Sequence, residues 1–159
     1  MSERVTAAVA ALRETLAKLE TVVGSLSDAD WRRETAGERW STGLVAFHIA
    51  RGFQRQAEFI EEAQQHHGPH LFSWGDTHAL NAAVAAAHAT PTRDEVIELA
   101  RSSVDRVATA LGRMDEAALS QPAFVFEGRE RDAVWVAGRL ATGHARGHLE
   151  SIAAAVPGT

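Results

Sequence analysis

Residues 132–155 read DAVWVAGRLATGHARGHLESIAAA. Val134, Ala137, Ala141, His144, His148 and Ile152 recur at steps of three and four, the period that lines up one face of an α-helix. Twenty-four residues at this period, with no proline, predict a long helix with one stripe turned inward. Two histidines occupy that stripe where aliphatic side chains are expected. Gly143 and Gly147, also four apart, are expected to let another helix approach closely.

Three other stretches carry the same period. From about Glu3 to Val23, the residues Val5, Val9, Leu12, Leu16, Leu19 and Val23 form one stripe, which Leu26 continues. Gly24 and Ser25 end this helix, and Ser27 followed by Asp30 signals a capped turn. A second long helix is expected from Ser41 or Thr42 to about Gln65, with Val45, His48, Gly52, Phe59 and Ala63 along one side. A third starts at the capping box Thr92-Arg93-Asp94-Glu95 and places Ile97, Ala100, Val104, Val107, Leu111 and Met114 inside. Between the second and third, residues 66–75 read as a loop, and Asp76 to His88 as a shorter, alanine-rich helix. Phe124-Val125-Phe126 is a candidate extended segment, but nothing nearby in the sequence offers it a partner strand.

Four amphipathic helices joined partly by long connections predict an all-α chain, a four-helix bundle with a short extra helix before the third long one. The chain has 159 residues, 45% of them hydrophobic and 23% charged, with no internal repeat or linker, so residues 1–159 are expected to form a single domain. The formal net charge of −5 argues against a nucleic-acid backbone as partner, because phosphate contacts need a basic surface. There is no cysteine, which removes disulfides and protein thiolates from the possible chemistry. No stretch approaches the roughly 20 apolar residues of a membrane span, and the N-terminal charges do not suit a signal peptide, so a cytoplasmic protein away from membranes is expected.

The chemistry concentrates in histidines. His144 and His148, one helical turn apart, point the same way and can converge on one ion. His48 falls in the inward stripe of another helix and is available as a third ligand. A lone histidine on an apolar face is more often a hydrogen-bonded core residue, so spacing alone leaves both readings open. The pattern is not H-E-x-x-H, because Ala145 follows His144, and Gly147 stands where the inverted motif needs glutamate. Arg51, one turn after His48, is a candidate contact for an anionic substrate. Trp40, Trp74 and Trp135 are candidates for a pocket wall, and His78 and Asn81 for residues overhanging the site. The run His66-His67-Gly68-Pro69-His70 is expected to be a solvated loop.

The order of these features resembles the DinB/YfiT-like superfamily, which includes DinB-like metalloenzymes and mycothiol-dependent isomerases. The resemblance rests on a leading helix and then Leu26-Ser27-Asp28-Ala29-Asp30-Trp31. Trp40 follows before the second helix, His48 lies inside it, and the pair His144 and His148 lies in the last. It runs from about Val5 to Ile152. It implies an up-down-down-up bundle and one divalent metal, commonly zinc or nickel, held by His48, His144 and His148. It also implies a small-molecule substrate with a low-molecular-weight thiol as co-substrate, in an S-transferase or isomerising enzyme. A hydrolase activating water, and a non-catalytic bundle acting by association, are the alternatives. A homodimer is expected, because Ala82 to Ala87 add more small apolar residues than one internal stripe needs and such proteins are often dimeric.

Overall fold

The computed structural model describes residues 2–65 and 68–156. It is mostly helical, with a small sheet. The long helices are α1 (Glu3–Ser25), α3 (Thr42–Gln64), α5 (Arg93–Arg113) and a C-terminal rod made of α7 (Ala133–Trp135), a π-helical stretch (Val136–Ala141) and α8 (Thr142–Ala155). Short helices α2 (Asp28–Trp31), α4 (Trp74–Ala87) and α6 (Glu116–Leu119) lie in the connections. Helix α3 packs against α5 on one side and α8 on the other, while α1 packs against α5 and the C-terminal rod. The core between them holds Leu12, Leu19, Ile49, Phe53, Val104 and Ile152, all buried.

The sequence signals that start helices are seen as side-chain caps. Ser41 accepts from Leu44 N–H at 3.1 Å, so α3 begins at Thr42. At α5 the Thr92 hydroxyl accepts from Glu95 N–H at 3.2 Å, and the Glu95 carboxylate accepts from Thr92 N–H at 2.7 Å, the full capping box. The stripe of α5 enters the core at Val96; Ile97 and Met114 are only partly buried. The turn holding Trp31 is fixed by a close approach. A Cβ on Gly43 would stand 2.5 Å from the Trp31 ring, so the indole packs closely against the start of α3, and its N–H donates to the Pro91 carbonyl at 3.0 Å. Beside it Arg93 stacks on the indole and pairs with Asp28 at 3.0 Å.

Several expectations are corrected. The chain is not purely helical, because Phe124-Val125-Phe126 does find partner strands. Strand β2 (Pro122–Phe126) lies between β1 (His70–Leu71), which is parallel to it, and β3 (Arg129–Asp132), which is antiparallel. Glu127 and Gly128 join β2 to β3 with φ of 50° and 73°, a two-residue turn whose left-handed backbone matches strand twist. The partners escape a sequence reading because Arg-Glu-Arg-Asp shows no apolar alternation and His70 lies far along the chain. Phe124 is buried against Phe59 of α3, with ring centroids 5.1 Å apart, and His70 stacks on both.

The C-terminal helix is also not uniform. Its π-helical stretch widens one and a half turns, and Gly138 there lets α1 approach, since a Cβ would stand 3.2 Å from that of Ala8. Gly143 and Gly147 do not serve close packing, because a Cβ on either would meet nothing within 4 Å. Helix α4 starts two residues earlier than expected and has no buried residue. With β1 it leaves Leu71, Trp74 and Leu80 exposed. Among the described residues, no helix is long and apolar enough to cross a membrane. Of the histidine-rich run, His66 and His67 lie outside the described residues.

Candidate metal centre

The packing of α3 against α8 brings together the three histidines that the sequence singles out. One ring nitrogen from each of His48, His144 and His148 lies within 4.8 Å of the others. The ring centroids are 4.6–4.8 Å apart, and the rings meet edge to face. His48 Nε2 and His144 Nε2 face each other at 3.0 Å. Ligands about 2.1 Å from a tetrahedral ion stand roughly 3.4 Å apart, a spacing between the 3.0 Å of the His48–His144 pair and the 4.8 Å limit of the whole set. All three donors are imidazole nitrogens, a ligand type that zinc and nickel accept.

The cluster has support that the sequence did not reveal. Glu38, on the loop between α2 and α3, holds His148 Nδ1 at 2.7 Å, and its other oxygen accepts from the Ser151 hydroxyl at 2.6 Å. A carboxylate on Nδ1 places the proton there and leaves the Nε2 lone pair of His148 free. The loop itself is held rigidly. Thr35 is buried and its N–H donates to the Trp40 carbonyl at 2.8 Å, Thr42 N–H donates to the Arg33 carbonyl at 2.8 Å, and Arg39 takes a left-handed φ of 60°. Nothing in the local sequence marks Glu38, because its partners lie 110 and 113 residues further along the chain.

Electrostatics keep the ligands available. Burial, aided by the charge of His148, pushes His48 down to about 4. Burial and the two neighbouring imidazoles push His144 down to about 3. Both are therefore neutral at pH 7, with a lone pair to offer. Burial raises Glu38, but hydrogen bonds from Ser151, His148 and Thr35 outweigh it and bring the carboxyl down to about 2.

A pH dependence follows. Below the ordinary histidine value of 6.5, the unfolded chain takes up protons that the folded cluster refuses, so stability falls as pH drops from 6.5 towards 4. Glu38 adds a loss in the same direction between 4.5 and about 2. The melting temperature of the metal-free protein is expected to decline steadily on acidification through this range; a rise would contradict the electrostatic account. Changing Glu38 to alanine frees the His148 ring to turn and is expected to weaken zinc binding about 10–100-fold, measured by competition with a chelator.

The other sequence candidates are dispersed. Trp40 packs edge-on against His48, centroids 5.4 Å apart, so it does line the cluster. The ring contacts of Trp74 and Trp135 are with Phe72, His78, Phe124 and Phe126 around the sheet rather than with the clustered histidines. Arg51 hydrogen-bonds Gln54 on its own helix. His78 is exposed against Trp74, and Asn81 is half-buried on α4.

With this geometry in hand, comparisons place the chain. It matches none of the curated proteins. Its fold is similar to the crystal structure of a mycothiol-dependent maleylpyruvate isomerase, with a TM-score of 0.74 at 16% identity, covering 96% of this chain and 63% of that one. A mutant of that isomerase gives a TM-score of 0.75 at 15% identity, covering 98% and 65%. The chain thus spans less than two thirds of the length of these proteins. The sequence pattern of the DinB superfamily matches residues 11–152, which include all three clustered histidines, and the chain belongs to the DinB superfamily.

Proposed function

We propose that this protein is a metal-dependent enzyme in which His48, His144 and His148 hold one divalent cation, zinc or nickel, and a low-molecular-weight thiol of the mycothiol or bacillithiol type is the co-substrate. The reaction is S-transfer to a small electrophile, or a thiol-assisted isomerisation. The observation that carries this reading is the convergence of three imidazole nitrogens with a carboxylate holding one ring from behind. A dication in that position lowers the pKa of a thiol that reaches it enough to ionise it near neutral pH. A thiol brought by a co-substrate also suits a chain without cysteine.

The residues of the chain bind and orient. His48 and His144 supply neutral nitrogens because burial disfavours their protonation. Glu38 fixes the tautomer and ring direction of His148. Trp40 packs on the edge of His48 and limits its rotation. Arg51 lies one turn from His48 on α3, where release of its bond to Gln54 frees a guanidinium for an anionic group of the substrate. The four long helices are read as an up-down-down-up bundle of a cytoplasmic protein, without a nucleic-acid partner.

Activity separates the readings. Zinc-loaded protein is incubated with a panel of small electrophiles, with and without mycothiol or bacillithiol, and products are followed by mass spectrometry. Thiol-dependent turnover that a chelator removes is the expected result. Metal-dependent hydrolysis without thiol would replace the transferase reading with that of a hydrolase, and no turnover under any condition would favour a non-catalytic bundle. A homodimer closing over the exposed apolar residues of β1 and α4 is a further part of the proposal, since contiguous exposed apolar surface marks association sites. Light scattering at micromolar concentration is expected to give twice the chain mass, and a Leu71→Glu, Trp74→Glu variant the monomer mass; a monomeric parent protein would contradict it.

A further inference from the structure

Behind the histidine cluster two buried polar atoms stand without a partner: among the described residues, neither His144 Nδ1 nor Gln56 Oε1 makes a hydrogen bond. A buried polar group left unpaired is destabilising, so such a pair in one place calls for a reason. Their chemistry is complementary. An amide oxygen accepts, and an imidazole Nδ1–H donates.

Their positions are complementary as well. Gly52 lies on α3 one turn after His48 and one turn before Gln56. A Cβ there would stand 2.7 Å from His144 Nδ1 and 3.7 Å from Gln56 Oε1, so both atoms border the same small space, left open by the absence of a side chain. Gln56 is only 6% exposed, an unusual place for a long polar side chain. His144 Nε2 is the nitrogen that faces His48, so Nδ1 is the one turned away from the cluster.

We infer that Gln56 is the positioning residue of His144: its amide oxygen accepts from His144 Nδ1–H, which leaves Nε2 free of a proton and aimed at the ion. The inference rests on the proposed reading of the cluster as a metal centre. Three side-chain torsions allow the Gln56 amide to close onto the ring. Gln56 then does for His144 what Glu38 does for His148, and both histidines of α8 are held at Nδ1 by a residue from outside their own helix. A neutral amide suits the buried position and a carboxylate the more open one, since an unpaired charge costs far more to bury.

The test has two readouts. In metal-free protein labelled with 15N-histidine, long-range 1H–15N correlations report the tautomer of each ring. His144 is expected in the Nδ1–H form in the parent protein and in Gln56→Glu, and to shift to Nε2–H or a mixture in Gln56→Met. In zinc titrations against a competing chelator, Gln56→Met is expected to bind about 10–100-fold more weakly, and Gln56→Glu, which keeps the acceptor, at least as tightly as the parent. Gln56→Leu serves as a second removal variant if Gln56→Met fails to fold by circular dichroism. An Nε2–H tautomer of His144 in the parent, or a folded removal variant that binds zinc as tightly as the parent, overturns the inference. A parent protein that binds no zinc would instead count against the proposed function, and the tautomer of the metal-free protein still decides the role of Gln56.

Discussion

His144→Ala is expected to weaken zinc binding by roughly a thousand-fold or more, the loss of one full ligand from a three-histidine set. The remaining His48 and His148 sit on different helices, and the removed ring is the one whose Nε2 faces His48 Nε2 at 3.0 Å. Water can fill the vacated position but brings no fixed direction with it. The metal-free protein is expected to lose a smaller amount of stability. The substitution leaves a cavity beside His48 and takes away the ring that faces its Nε2, so any loss in the metal-free protein reports packing and not metal binding. Added zinc should therefore raise the melting temperature of the parent protein strongly and that of the variant hardly at all, because only a ligand bound by the native state stabilises it. His78→Ala is the control, since that side chain is exposed against Trp74, and it should leave both readings unchanged. Equal zinc-induced stabilisation of parent and His144→Ala would contradict the assignment of this ligand.

Gly52→Ala is expected to come second in size, although it adds only a methyl group. The new Cβ would stand 2.6 Å from His144 Cε1 and 2.7 Å from Nδ1, closer than side chains tolerate, so the ring must give way. Metal ligands allow about 0.2 Å of error, and a displacement near 1 Å is expected to reduce zinc affinity about a hundred-fold. Alanine is a better helix former than glycine by about 1 kcal/mol, so the metal-free protein suffers less than the clash alone suggests. Gly143→Ala and Gly147→Ala provide the contrast. A Cβ at either position meets nothing within 4 Å, so each is expected to stabilise α8 by about 0.5–1 kcal/mol without disturbing zinc binding. Chelator competition and thermal melts on the three variants check this pattern, and tight binding by Gly52→Ala would show that the histidine ring is not confined as described.

What could be read from the sequence, and what could not, divides along physical lines. Periodicity and caps are local, and the starts of α3 and α5 at Ser41 and Thr92 were legible for that reason. The histidines were legible because a polar residue in an apolar stripe is an anomaly visible on one helix. Glu38 was not, because a single acidic residue in a loop becomes informative only when α8 is packed beside it. Gly52 lay in the recognised stripe, yet its function depends on a ring from another helix; Gly143 and Gly147 looked equivalent on one helix and face open space. The strand partners of Phe124 were hidden by distance along the chain in one case and by a charged sequence in the other. The π-helical stretch at Val136–Ala141 has no compositional mark, since Val-Ala-Gly-Arg-Leu-Ala suits an ordinary helix equally well.

If His48, His144 and His148 share one metal ion, anomalous scattering will locate it. Crystals of protein purified without added metal, then equilibrated with one equivalent of zinc, are measured on both sides of the zinc absorption edge. A single anomalous peak is expected between α3 and α8, about 2.0–2.2 Å from one nitrogen of each of the three histidines. A crystal with no peak among these three rings, or with zinc only at other histidines such as His70 or His78, would contradict it.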